Sequence, residues 1–213
     1  MSGRAVILGR VRAALADVPA RGASDWDASA GVSGVKPPAS VVDLFVARCG
    51  EYQANVTLCD HDPDAIRGAL TAAAERHGVA SIVAPPELDD RWLPDGIACR
   101  RDSPLLAIAE LAEAGAALTA CRLAIAATGT IVLDGAPDQG RRALTLVPDL
   151  HLCVVRAEQI VPDVPDAIAQ LESSGASDRP ITFISGPSAT SDIELVRVEG
   201  VHGPRRLEVV VSV

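Results

Sequence analysis

The chain has 213 residues, 48% of them hydrophobic, which is enough for one sizeable core and short for two full domains. Aromatic side chains make up only 2% and the formal net charge is −9, a balance that argues against base stacking, against counterion release on nucleic acid and against an anionic membrane surface. No apolar run approaches the roughly 20 residues of a bilayer span, and the N-terminus M-S-G-R-A-V-I-L-G-R lacks a signal peptide's long apolar region and cleavage site, so a cytoplasmic location is expected.

With so few aromatics, the core must be filled by Ala, Val, Leu and Ile, which suits helices packed on buried, mostly parallel strands: an α/β fold. Arg4 to Ala16 sets Val6, Ile7, Val11 and Ala14 at helical spacing and predicts a short amphipathic helix. From Arg21 to Pro38 the composition is that of a linker, with Trp26 as its aromatic anchor. Residues 1–39 therefore read as a leader, and 40–213 as the folded domain. Ser40 is placed to cap a helix running to about Tyr52. Asn55 to Cys59 reads as a strand, Asp64 to His77 as an alanine-rich helix closed by Gly78, and Ser81 to Ala84 as the next strand. That is a βαβ unit, with parallel strands and a right-handed crossover expected.

A weak strand follows within 94–102, then a helix from Leu105 to Ala114 ended by Gly115, and a short strand at Ala117 to Thr119. Cys121 to Asp134 is apolar at both flanks and carries Thr128, Gly129 and Thr130 at its centre. Glycine inside a core run signals close approach of a backbone or a ligand, so the segment is either a turn between core elements or part of a binding site. Arg141 and Arg142 follow a polar loop; they either solvate that loop or offer guanidinium forks to a carboxylate or phosphate. Leu152 to Val155 reads as a strand and Asp166 to Ser173 as a helix capped by Asp163 or a residue near it. Ile181 to Ile184 reads as a buried strand that runs into Ser185, Gly186, Pro187, Ser188, Ala189, Thr190, Ser191 and Asp192. Hydroxyls and backbone N–H groups converge in such a loop and suit a small-molecule anion. Leu207 to Val211 closes the sheet, and the loop is expected to face Thr128 to Thr130 across the carboxyl ends of parallel strands.

By residue type the candidates for chemistry are Asp192, Glu194 and His202. Asp192 and Glu194 point the same way on an extended segment and can share a proton or a cation, or Asp192 can accept hydrogen bonds within its own loop. His202 can act as an acid–base group or pin one loop to another. The cysteines at 49, 59, 99, 121 and 153 form no C-x-x-C pair, which argues against a disulfide framework and against a metal or iron–sulfur site held by this chain. Neither a G-x-G-x-x-G fingerprint nor a nucleophile elbow is present, so no cofactor is expected in this chain.

T-G-T at 128–130, P-D-L-H-L-C-V-V at 148–155, G-P-S-A-T-S-D-I-E at 186–194 and G-V-H-G-P at 200–204 together resemble the LUD domain family, which includes LutC and YkgG, from about Ser40 to the C-terminus. The leader's R-x-R-A-A-L is similar to the LutC branch. The resemblance implies a three-layer, Rossmann-like α/β fold of the kind found in glucosamine-6-phosphate and ribose-5-phosphate isomerases and CoA transferases. It also implies a role in oxidising lactate to pyruvate beside LutA-like and LutB-like proteins, which would carry the iron–sulfur clusters. Ala127 stands where many relatives have an acidic residue. On this reading Thr128, Gly129, Thr130, Arg141, Arg142, Ser185, Gly186, Ser188, Thr190 and Gly203 would hold a small anion. The alternative is a stand-alone enzyme of the sugar-phosphate isomerase or CoA-transferase type that uses Asp192, Glu194 or His202.

Overall fold

Buried apolar strands pair into one sheet in which every neighbour runs parallel. In the computed structural model, which describes residues 3–14, 16, 40–175, 179–190, 198–200 and 202–213, its six strands are β1 (Asn55–Cys59), β2 (Ser81–Ala84), β3 (Ala98–Arg101), β4 (Ala116–Thr119), β7 (Leu150–Arg156) and β12 (Arg206–Ser212). They lie in the order β1-β12-β7-β4-β2-β3. Central β4 and β7 have no polar face because both their sides are covered.

One face is covered by α3 (Pro63–Arg76). Asp62 caps it by accepting from the N–H groups of Asp64 and Ala65 at 3.0 and 3.1 Å, and Pro63 starts the first turn. Its Ile66, Leu70, Ala73 and Ala74 pack in one cluster with Leu150, Leu152, Val154 and Val210. The opposite face receives α2 (Val41–Glu51), whose cap Ser40 accepts from the Asp43 N–H at 3.0 Å. There Phe45 and Cys49 join Cys153, Val155, Leu207, Val209 and Val211. On α4 (Ile108–Glu113), Leu111 packs with Val83 and Ala117.

A second, four-stranded sheet was not foreseen from the sequence. It comprises β5 (Leu123–Ile125), β6 (Thr130–Leu133), β8 (Ile160–Val161) and β9 (Thr182–Ile184) in the order β8-β5-β6-β9, with β6 antiparallel to both β5 and β9. Ala124, Ala126, Ile131 and Leu133 face the α2 side of the main core, whereas Leu123, Ile125 and Val132 meet Ala167 and Leu171 of α5 (Val164–Ser173). Double burial is why this run reads as continuously apolar.

β1 and β2 are parallel members of one sheet, as expected, with three strands between them. Two expectations change. The strand expected to be buried at 181–184 is an edge strand of the second sheet with Phe183 47% exposed. The helix expected from Leu105 starts only at Ile108, because the Asp102 carboxylate takes up the Leu106 N–H and holds the preceding loop.

Chain contacts separate a first unit, Met1–Lys36, from Pro37–Val213. In the first, α1 (Gly3–Ala14) carries Val6, Ile7, Leu8 and Val11 exposed. Trp26 lies outside the described residues. All five cysteines are free and three of them, Cys49, Cys121 and Cys153, are buried. Burial, then the neighbouring Cys153, pushes the Cys49 thiol up to about 12. Among the described residues no helix is long and apolar enough to cross a membrane.

Candidate functional site

Antiparallel pairing of β6 with β9 sets Ile131 opposite Ile184 and so brings Thr130 beside Ser185. Their hydroxyls are 2.6 Å apart, and Thr130 Oγ1 is 2.7 Å from Thr128 Oγ1, forming a short hydroxyl chain. Between those threonines Gly129 sits at φ +57°, where a Cβ would stand 2.7 Å from backbone atoms of Arg48 and Cys49. The close approach signalled by this glycine is that of helix α2.

Beyond Ser185 the chain turns at Gly186 (φ +94°), where a Cβ would come within 2.6 Å of the Tyr52 carbonyl. Ser188 then joins the two glycine-rich segments. Its N–H donates to the Pro204 carbonyl at 2.8 Å, its carbonyl accepts from the Gly200 N–H at 2.9 Å, and its Oγ accepts from the His202 N–H at 3.1 Å. A two-residue ladder, β10 (Ala189–Thr190) with β11 (Val198–Glu199), extends the clasp.

Beneath this clasp lies a cavity of about 220 Å³, lined by Ser185, Gly186, Ser188, His202 and Gly203, and also by Arg142, Thr145 and His151. His151 and Leu207 are register partners at the second positions of β7 and β12. The cavity therefore opens at the amino ends of the parallel strands, not at the expected carboxyl ends. The cause is β9, which delivers the loop from the second sheet instead of joining the parallel one.

Six residues singled out in the sequence thus meet in one place: Arg142, Ser185, Gly186, Ser188, His202 and Gly203. Thr128 and Thr130 connect to it through Ser185, whereas Gly129 is occupied by α2. Thr190 belongs to β10, and Asp192 and Glu194 lie outside the described residues. The paired arginines part company. Arg141 grips Asp102 with its Nε and Nη2 at 2.7 and 3.0 Å, and borders an adjoining cavity of about 360 Å³. Burial would raise the Asp102 carboxyl, but the hydrogen bonds from Arg141 and the Leu106 N–H hold it below the usual range. In that second cavity Arg179 is likewise paired, 3.2 Å from Asp134. Arg142 borders both cavities, and its Nη1 donates to the carbonyl and hydroxyl of Thr145 at 2.8 and 2.7 Å. It has no carboxylate partner among the described residues.

Sequence reading passed over His151. It is 1% exposed, with Nε2 2.8 Å from Thr119 Oγ1. Burial, then the charge of Arg142, lowers its pKa to about 4, so the ring is neutral near pH 7. Its only trace in the sequence is a single polar residue inside the apolar run L-H-L-C-V-V.

The described part of the site offers one unneutralised guanidinium, several hydroxyls and backbone N–H groups, and two imidazoles. That set can hold a small anion. Ser188 and His202 form no nucleophile–base pair: Ser188 Oγ takes the backbone N–H of His202. Nor is any group of three or more His, Cys, Asp or Glu among the described residues placed to hold a metal ion.

The LUD domain model matches residues 106–212, a span that contains the cavity. Lactate utilization protein C of Deinococcus radiodurans is 52% identical over 149 residues, covering 70% of this chain and 68% of that protein. The Lactate utilization protein C of Geobacillus kaustophilus is 30% identical over 166 residues, 68% of each chain. The protein YkgG of Escherichia coli is 42% identical over 81 residues, 36% of this chain and 35% of its own. A crystal structure of a DUF162 family protein from Deinococcus radiodurans superposes with a TM-score of 0.70 at 38% identity, covering 83% of this chain and all of that one. With about half of its length matched by the family's model, and a relative more than half identical along two thirds of that relative's length, the chain belongs to the LUD domain family.

Proposed function

We propose that this chain is the LutC-like component of a lactate utilisation system, and that it binds a small carboxylate in the cavity beside Arg142 while LutA-like and LutB-like iron–sulfur proteins carry the electrons. The names of its relatives supply the first half of that reading. One observation carries the second: of the three arginines bordering the two cavities, Arg141 and Arg179 have carboxylate partners and Arg142 has none among the described residues. A guanidinium that keeps unused N–H donors at a hydroxyl-lined cavity matches an anionic ligand. The test is genetic and direct. Deleting the gene should stop growth on L-lactate or D-lactate, and Arg142→Met should fail to restore it although the protein accumulates; the purified chain alone should oxidise no lactate. Full growth of the Arg142→Met strain would remove the carboxylate site from the reading.

A further inference from the structure

His151 is a buried polar group at the cavity wall that anion binding by Arg142 leaves unused. Its Nε2 edge is turned into the core toward Thr119, which is 0% exposed and takes no part in the lining. Nδ1 has no hydrogen-bond partner among the described residues, so the ring keeps one donor or acceptor site that a ligand in the cavity can meet. Arg142 lies close enough for its charge to act on the ring. The apolar side chains of Leu207, beside His151 on the neighbouring strand, and Ile184 complete this wall.

Size and charge narrow the occupant. At about 220 Å³ the cavity falls below the roughly 300–1,000 Å³ of sites for drug-sized molecules, so the ligand has few heavy atoms. Arg142 is the one side chain of fixed charge in the described lining, which suits a monoanion and leaves a dianion half paired. We propose that His151 Nδ1 hydrogen-bonds the oxygen on the carbon next to the ligand's carboxylate, so that the cavity selects small 2-hydroxy or 2-oxo monocarboxylates over plain ones. This rests on the reading of Arg142 as the carboxylate anchor. A neutral imidazole serves either ligand according to its tautomer, accepting from a hydroxyl or donating to a carbonyl.

The test is calorimetric titration of the full chain with L-lactate, D-lactate, pyruvate, propionate and malonate. At least one of the lactates or pyruvate should bind tenfold or more tightly than propionate, because a site built to hydrogen-bond an oxygen penalises the analogue that lacks it. Malonate should gain nothing from its second charge. In His151→Phe the preference should fall to within about twofold while propionate still binds. As a measurement that needs no variant, the ¹⁵N resonance of His151 Nδ1 should move with the preferred ligand and stay put with propionate. Equal affinities for propionate, lactate and pyruvate in the parent protein overturn the role of His151 and leave the carboxylate site standing. Binding of none of the five overturns both.

Discussion

Arg141 and Arg142 are chemically identical neighbours, and what separates them is Asp102, which lies 39 positions before Arg141. Asp102 is 4% exposed and depends on Arg141 for two hydrogen bonds. Removing Arg141 leaves a buried carboxylate with only the Leu106 N–H, and loss of one partner from a buried pair is costly. Arg141→Ala should therefore lower unfolding free energy by about 2–3 kcal/mol in denaturant titrations, with carboxylate affinity little changed. Arg142→Ala should do the reverse: stability within about 1 kcal/mol of the parent and carboxylate affinity reduced at least tenfold. The opposite pattern would move the anion site to the cavity bordered by Arg141. Nothing local in the sequence distinguishes the two residues, because the deciding contact is long-range. His151 escaped notice for a related reason, since a polar residue in a central strand becomes meaningful only once its neighbours across the sheet are known.

Elements whose ends are set by local chemistry were legible. The Ser40 and Asp163 caps and the bounds of β1 and β2 agree with the structure, because capping hydroxyls, carboxylates and turn residues act within a few positions. Strand partnership was not. The runs that form β5 and β6 are buried on both sides, as are those of the main sheet, so periodicity cannot say which sheet they join. β9 pairs with β6 only because some fifty residues of chain return it there, through the register Ile131 to Ile184. Gly129 shows both sides of this. Its presence in an apolar run announced a close approach, but only the fold shows that α2 is what approaches. Gly129→Ala combines a positive φ with backbone atoms 2.7 Å away, so it should cost about 2 kcal/mol or more. Thermal denaturation reads this directly. A variant as stable as the parent would mean that α2 does not rest on the hairpin.

For the whole molecule the consequence of the topology is that the site sits at the amino ends of β7 and β12, with a neutral histidine sealed among the strands. Sealing ties stability to pH. In the unfolded chain His151 takes up a proton near the ordinary 6.5, whereas in the folded chain burial and Arg142 delay this to about 4. Between those values the unfolded state binds more protons, so stability rises with pH across the window and is lost as pH falls from about 6.5 to about 4. A shift of that size corresponds to about 3 kcal/mol. Asp138 works against it at the acidic end, since burial raises its carboxyl above the ordinary value and favours the protonated folded form as pH falls. The carboxyls of Asp102 and Asp149, held low by their arginines against the opposing effect of burial, add their losses only below the ordinary carboxylate range. Denaturant titrations at pH 7, 6, 5 and 4 on the parent and on His151→Gln isolate the histidine, because the other groups are common to both. The parent should lose about 3 kcal/mol more than the variant over that range. Parallel curves for the two proteins would mean that the ring takes up its proton without leaving the fold, through water or an anion admitted by the cavity beside Arg142.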